Sequence, residues 1–192
     1  MVAVLKRQIE KTQKNLEATG YDPASVRDQV VALAQSYGSP VLDVGTGACA
    51  CMAVDLARSG LTVTAIDHAS SAIRIAEERV TGALINNLKV QQAKATRLPF
   101  LDNSYRVVTV FDALCHAADP VAVVAEMFRV CSNGGAIIVT ELNNAGRRVT
   151  HHLDYGFEKK LPDLLVHYCN NCQQLDDIHH VTQVCEIRKS LY

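Results

Sequence analysis

A chain of 192 residues, 48% apolar and 20% charged, is long enough to bury a core without metal or disulfide staples. Its formal net charge of −1 argues against nucleic-acid or anionic-membrane partners, which need clustered Lys and Arg. No apolar run approaches the roughly 18 residues that span a bilayer, and the charges scattered through residues 1–19 do not read as a signal peptide, so the cytosol is the expected compartment. Seven cysteines, an odd number, speak against a closed disulfide framework, and in the cytosol most are expected to be reduced.

Two helices are predicted first. Met1 to Thr19 carries Leu5, Ile9 and Leu16 among polar residues and ends at Gly20; the second helix starts at Asp22-Pro23 and stops near Gly38-Ser39-Pro40. A β-then-α alternation follows. Val41 to Val44 reads as a buried strand, Ala50 to Arg58 as a helix, and Leu61 to Ile66 as a second strand. Ser70 to Leu84 reads as a helix, with Ile73, Ala76, Val80 and Leu84 at helical spacing. Leu88 to Gln92 reads as a third strand, and Tyr105 to Phe111 as a fourth, dense in β-branched residues. Asp119-Pro120 opens another helix, and Gly134-Gly135 turns the chain into a strand over Ala136 to Leu142. Beyond it a helix around Pro162 to Cys169 and a last strand around Val181 to Leu191 are predicted. Such alternation implies an α/β fold, a mainly parallel sheet covered by helices on both faces.

In an open parallel sheet, ligands bind beyond the carboxyl ends of the strands. The first such end reads Asp43-Val44-Gly45-Thr46-Gly47-Ala48-Cys49-Ala50. Gly45 and Gly47 let the backbone turn tightly against a ligand. Asp67 ends the second strand, where a carboxylate can accept both hydroxyls of a ribose. The pair points to an adenosine-containing ligand, and the looser dinucleotide fingerprint is also satisfied.

The longer pattern is more specific. Val41-Leu42-Asp43-Val44-Gly45-Thr46-Gly47 resembles the first motif of class I S-adenosylmethionine (SAM)-dependent methyltransferases, and Val63 to Asp67 resembles their second-strand acid. Ala95-Thr96-Arg97-Leu98-Pro99-Phe100-Leu101-Asp102-Asn103-Ser104-Tyr105 resembles their A-x-x-L-P-F-x-D-x-S-F segment. His116 to Pro120, Glu126, Arg129-Val130 and Gly134-Gly135 resemble the segment that follows. The similarity covers roughly Val41 to Glu141 and is to the subgroup that includes ubiquinone and menaquinone biosynthesis methyltransferases.

This resemblance implies a Rossmann-like SAM-methyltransferase fold with an antiparallel last strand. It implies one domain: N-terminal helices over 1–38, a cofactor-binding core over 39–142, and completion of the sheet over 143–192. It places Asp43 and Gly45 beside the methionine part of SAM, with Thr46, Gly47 and Cys49 in the turn against the cofactor. Asp67 would hold the ribose, His68 and Thr96 would lie near the adenine, the Ala95 N–H would face an adenine nitrogen, and Phe111 would lie near the methionine end. Three positions depart from the pattern: Lys94 stands where an acid is usual, Cys49 where the third glycine is usual, and Arg106 where an Asp is usual.

A SAM-dependent methyltransferase needs mainly to orient its acceptor, helped by a base where the acceptor loses a proton. His116 and Asp112, after the fourth strand, are the candidates for that base. Glu141, His151, His152 and Tyr155 lie at or after the fifth strand, either in an acceptor pocket or in solvated positions. The expected partner is a small-molecule acceptor, with no nucleic acid and no membrane, and a homodimer is left open. Competing readings are a non-catalytic SAM-binding protein, suggested by Lys94 and Cys49, and an NAD-dependent oxidoreductase, suggested by Gly45 to Ala50. Cys169-Asn-Asn-Cys172 with His179-His180 offers zinc-type ligands, but not at a standard finger spacing; small half-buried residues are the plainer reading, and no metal is expected.

Overall fold

The computed structural model describes residues 21–150, 157–169 and 171–189. The helix expected over Met1 to Thr19 and the candidates His151, His152 and Tyr155 lie outside them. Helix α1 (Ala24–Tyr37) leads into β1 (Val41–Val44), α2 (Cys51–Arg58), β2 (Val63–Asp67), α3 (Ser70–Gly82) and β3 (Leu88–Gln92). After a long return come β4 (Tyr105–Phe111), a 3-10 turn (Leu114–His116), α4 (Pro120–Val130), β5 (Cys131–Leu142) and α5 (Asn144–Thr150). A second 3-10 turn (Phe157–Lys160), α6 (Leu161–Val166), β6 (Asn171–Asp176) and β7 (His180–Glu186) complete the order.

Local chemistry explains the boundaries. Asp119 caps α4, its Oδ1 accepting from the Ala122 N–H at 2.9 Å, with Pro120 in the first turn where its missing N–H is harmless. Strands β1 and β4 are buried along most of their length because helices cover both faces of the sheet. Successive side chains point to opposite faces, so Leu42, Val44, Val108 and Val110 pack under α4 and α6, while Val41 and Val107 pack under α1, α2 and α3.

The described residues form one seven-stranded sheet in the order β3-β2-β1-β4-β5-β7-β6. β1 pairs in parallel with both β2 and β4, so the strand order reverses between β1 and β4. β7 runs antiparallel to β5, as expected for the last strand. Two elements were not anticipated. β6 is an edge strand of mostly exposed polar residues, without the apolar alternation that marks a strand. Helix α5 is short and is preceded by Asn143, whose Oδ1 accepts from the Ala145 and Gly146 N–H groups at 2.9 and 3.0 Å. Cys172 on β6 and its register partner Cys185 on β7 are joined in a disulfide, so this pair departs from the expectation of reduced thiols. Cross-strand pairing brings together two residues 13 positions apart that sequence spacing alone does not connect.

Candidate active site

A cavity of about 610 Å³ opens beyond the carboxyl ends of β1, β2 and β4, at the point where strand order reverses. Its size falls in the range of small-molecule sites. Of the sequence-predicted residues, Gly45, Gly47, Asp67, His68, Ala95, Thr96, Asp112 and His116 line it.

The turn after β1 is fixed by backbone bonds: the Gly45 and Thr46 N–H groups both donate to the Ile66 carbonyl at 2.9 Å. Gly45 has φ 76°, and a Cβ there would stand 2.6 Å from the Ala113 Cβ, so both conformation and space demand glycine. Gly47 has φ 62°, but a Cβ there would meet nothing within 4 Å. Its bareness opens the crevice rather than relieving a protein contact. The Gly47 N–H donates to Asp67 Oδ2 at 3.0 Å, and the Ala69 N–H donates to Asp67 Oδ1 at 2.9 Å. An ionised carboxylate has about four acceptor positions, so Asp67 keeps capacity for two more donors. His68 lies on the open rim, its Nδ1 3.4 Å from Asp67 Oδ1.

Asp43, Thr46, Cys49 and Phe111 are not among the lining residues. Asp43 is buried within the sheet and accepts from Thr109 Oγ1 at 3.0 Å; burial pushes its carboxyl up to about 6. Phe111 points to the sheet face opposite Val110, packing with the cluster under α1 and α2 and lying 5.4 Å from the His180 ring. Cys49 pairs with Cys51. The bond from Cys51 lowers the Cys49 thiol, helped by Arg79 and Arg27, and the same pairing raises Cys51. Arg106 turns to the backbone oxygens of Tyr37 and Asn133, at 3.4 and 3.3 Å.

The opposite wall is formed by Ala93, Lys94, Ala95 and Thr96, so a cation does stand where an acid is usual. The strap that continues from this wall is clasped from behind. Arg129 donates to the Leu98 and Phe100 carbonyls at 3.0 and 2.8 Å, and to Asp102 Oδ1 at 2.7 Å. Glu126 accepts from Arg129 Nε at 2.7 Å and from the Leu98 N–H at 2.7 Å. This gives a physical reason for the joint presence of the Leu98-Pro99-Phe100 and Glu126…Arg129 segments.

Toward the end of β4 lies a polar cluster that the sequence reading found only in part. Asp112 Oδ2 lies 3.0 Å from His180 Nε2 and accepts from the Tyr21 hydroxyl at 3.3 Å. Burial, with the charge of Asp112, pushes the Tyr21 phenol upward, which keeps it a donor. Glu141 is fully buried, and its Oε1 accepts from the Leu114 and Cys115 N–H groups at 2.7 and 3.3 Å, pinning the turn that carries His116. Burial first, then the charge of Asp112, pushes the Glu141 carboxyl up to about 7. Tyr21 and His180 were missed because they enter from the chain segments before β1 and after β5. The signal available was the histidine pair His179-His180 at the start of a strand rich in β-branched residues. His180 is held by Asn143, whose Nδ2 donates to the Asp177 and Ile178 carbonyls at 3.0 and 3.2 Å in the turn before β7.

A doubly wound sheet with a glycine turn and strand-end acid at its switch point defines a class of adenosine-type binding folds. A family model described as a methyltransferase domain matches residues 42–139, about half of the chain, and the chain belongs to that family. A ubiquinone biosynthesis O-methyltransferase of Albidiferax ferrireducens is 36% identical over 109 residues, 56% of this chain and 43% of that protein. A demethylmenaquinone methyltransferase of Mycobacterium sp. (strain JLS) is 33% identical over 129 residues, 67% of this chain and 53% of that protein. The chain thus spans about half the length of the curated relatives it matches. A crystal structure of a SAM-dependent methyltransferase from Aquifex aeolicus shares the fold, with TM-score 0.68 at 18% identity, covering 92% of this chain and 98% of that one.

Proposed function

We propose that this chain binds SAM in the crevice and directs its methyl group to a small-molecule acceptor. The observation that carries the reading is the pairing of Asp67 with the Gly47 N–H beside an open cavity lined by Val44, Ile66, Ala93 and Ala95. The lining fits the ligand. Its apolar walls suit a purine ring and methylenes, the bare Cα of Gly47 leaves room for close approach, and Asp67 retains acceptor capacity for two ribose hydroxyls. The Ala95 N–H would face the adenine, with Thr96 and His68 at its edge and Gly45 toward the methionine end.

When bound, the sulfonium supplies an activated methyl group. The chain's own work is to orient the acceptor and exclude water, an effect worth on the order of 7–11 kcal/mol. Asp112 and His116, both on the cavity wall, stand where an acceptor proton would be taken. Among the described residues no helix is long and apolar enough to cross a membrane, and a cytoplasmic setting is part of the proposal.

Calorimetry with S-adenosylhomocysteine and NAD tests the reading. Binding of the first, lost in Asp67→Ala and weakened in Asp67→Asn, supports it; the Asn variant keeps an acceptor for the Gly47 N–H and so separates hydroxyl recognition from collapse of the turn. Binding of NAD alone overturns it. Labelled SAM with a metabolite extract, and demethylmenaquinol as a first defined acceptor, then separates an enzyme from a non-catalytic binder.

A further inference from the structure

Outside the crevice, three sulfurs converge under α6. Cys169 follows that helix, Cys172 lies on β6, and Cys185 is its partner on β7. Their Sγ atoms all lie within 4.8 Å of one another, with Cys169 and Cys185 buried and Cys172 half-buried. Leu161, Leu165 and Ile187 belong to the same apolar cluster. We propose that Cys169, Cys172 and Cys185, with the Cys172–Cys185 bond reduced, form a three-thiolate site for Zn²⁺. This goes beyond the methyl-transfer reading, does not depend on it, and departs from the expectation of no metal.

The geometry is close to what the ion needs. With Zn–S bonds of about 2.3 Å, tetrahedral ligands stand about 3.8 Å apart; the Cys172 and Cys185 sulfurs, once reduced, must part by about 1.8 Å, and Cys169 must close by no more than about 1 Å. The ligand set selects a thiophilic ion, since no His, Asp or Glu joins the trio among the described residues. Charge then favours Zn²⁺ over Cu⁺. Three thiolates leave a net charge of −1 with the divalent ion but −2 with the monovalent one, and uncompensated charge in an apolar pocket is costly. The half-buried side at Cys172 gives a water access to the fourth position.

The histidines of the tail take no part. His180 pairs with Leu142 and Cys185 with Ile137, placing them five residues, or about 17 Å, apart along β7. The chemistry balances. A phosphine reduces the disulfide by taking one oxygen from water and leaving two thiols; the three thiols then release three protons as one zinc ion binds.

The test uses phosphine-reduced full-length protein under argon, titrated with Zn²⁺ against a chromogenic chelator. One equivalent is expected to bind, and mass spectrometry after alkylation should show Cys169, Cys172 and Cys185 protected by zinc. Cys172→Ser should weaken zinc binding by more than about tenfold, whereas Cys49→Ser should not. Absence of stoichiometric zinc, or protection that maps to Cys49 and Cys51 instead, overturns the proposal. The protection map is read on the unsubstituted protein, so a variant that fails to fold does not decide the result.

Discussion

The Asp112 carboxylate and the His180 imidazole meet at 3.0 Å across 68 positions of sequence, joining the end of β4 to the start of β7. Both Tyr21 OH and His180 Nε2 reach the same oxygen, Asp112 Oδ2. Tyr21 OH and His180 Nε2 also lie 3.2 Å apart, so the three groups close into one cluster. Asp112 Oδ1 and His180 Nδ1 are both buried without hydrogen-bond partners, and of the two residues only Asp112 lines the crevice.

Asp112→Ala leaves the Tyr21 hydroxyl and His180 Nε2, 3.2 Å apart, with only each other to pair with, at about 1–3 kcal/mol, and puts alanine at φ 49° for about 1 kcal/mol more. A loss of about 2–4 kcal/mol is expected in urea unfolding. Tyr21→Phe removes a hydroxyl that reaches both Asp112 and His180 but leaves those two paired, and should cost about 1 kcal/mol. Equal losses in the two variants would show that Asp112 does not organise the cluster.

Glu141 sets a pH dependence. Its carboxyl is raised to about 7 in the folded chain, so folding holds a proton that the unfolded chain releases near its ordinary value of about 4.3. Stability from this group is full below that value, declines as pH climbs toward about 7, and is level above. The decline is on the order of 3 kcal/mol. Asp43, raised to about 6, adds a decline of the same sign. Glu141→Gln keeps an acceptor for the Leu114 and Cys115 N–H groups and should flatten the upper part of the curve, read from urea midpoints between about pH 5 and pH 8. An unchanged slope would remove Glu141 as its source.

Two glycines should separate fold from binding. Gly45→Ala forces a Cβ against Ala113 at a positive φ and should lower stability by about 2 kcal/mol or more. Gly47→Ala has only its positive φ to oppose it, at about 1 kcal/mol, yet puts a methyl group toward the cavity. The second variant is expected to fold and to lose S-adenosylhomocysteine affinity, measured by calorimetry. Full affinity in folded Gly47→Ala would contradict the placement of the ligand.

Cys49 should be the fastest thiol to alkylate at neutral pH, because its pairing with Cys51 and the nearby Arg79 and Arg27 favour the thiolate. Cys51→Ala should slow that reaction, followed by mass-resolved iodoacetamide labelling. Fastest labelling at Cys115 would contradict this ordering.

The first half of the fold was legible because it is repetitive. The bounds of Tyr105 to Phe111 follow from its dense β-branching, whereas Leu88 to Gln92, with Val90 as its one β-branched residue, is marked by its place in the β-then-α alternation. Gly45, Gly47 and Asp67 were legible for another reason: a tight turn and a strand-end acid need particular residue types. Phe111 shows the limit. Its position at a strand end was read correctly, but the face it takes depends on the register with β1, which only the assembled sheet fixes. β6 escaped because an exposed edge strand has little apolar pattern, and His180 because its partners, Asp112 and Tyr21, are remote in sequence.

Arg129 and Glu126 hold Leu98 to Asp102 in place whether or not anything occupies the cavity. The entropy of ordering that strap is therefore spent during folding, and an incoming molecule meets an adjoining wall, Ala93 to Thr96, already anchored at its far end. Arg129→Ala would turn docking into docking plus ordering, visible as slower association and a less favourable binding entropy at nearly unchanged contact chemistry.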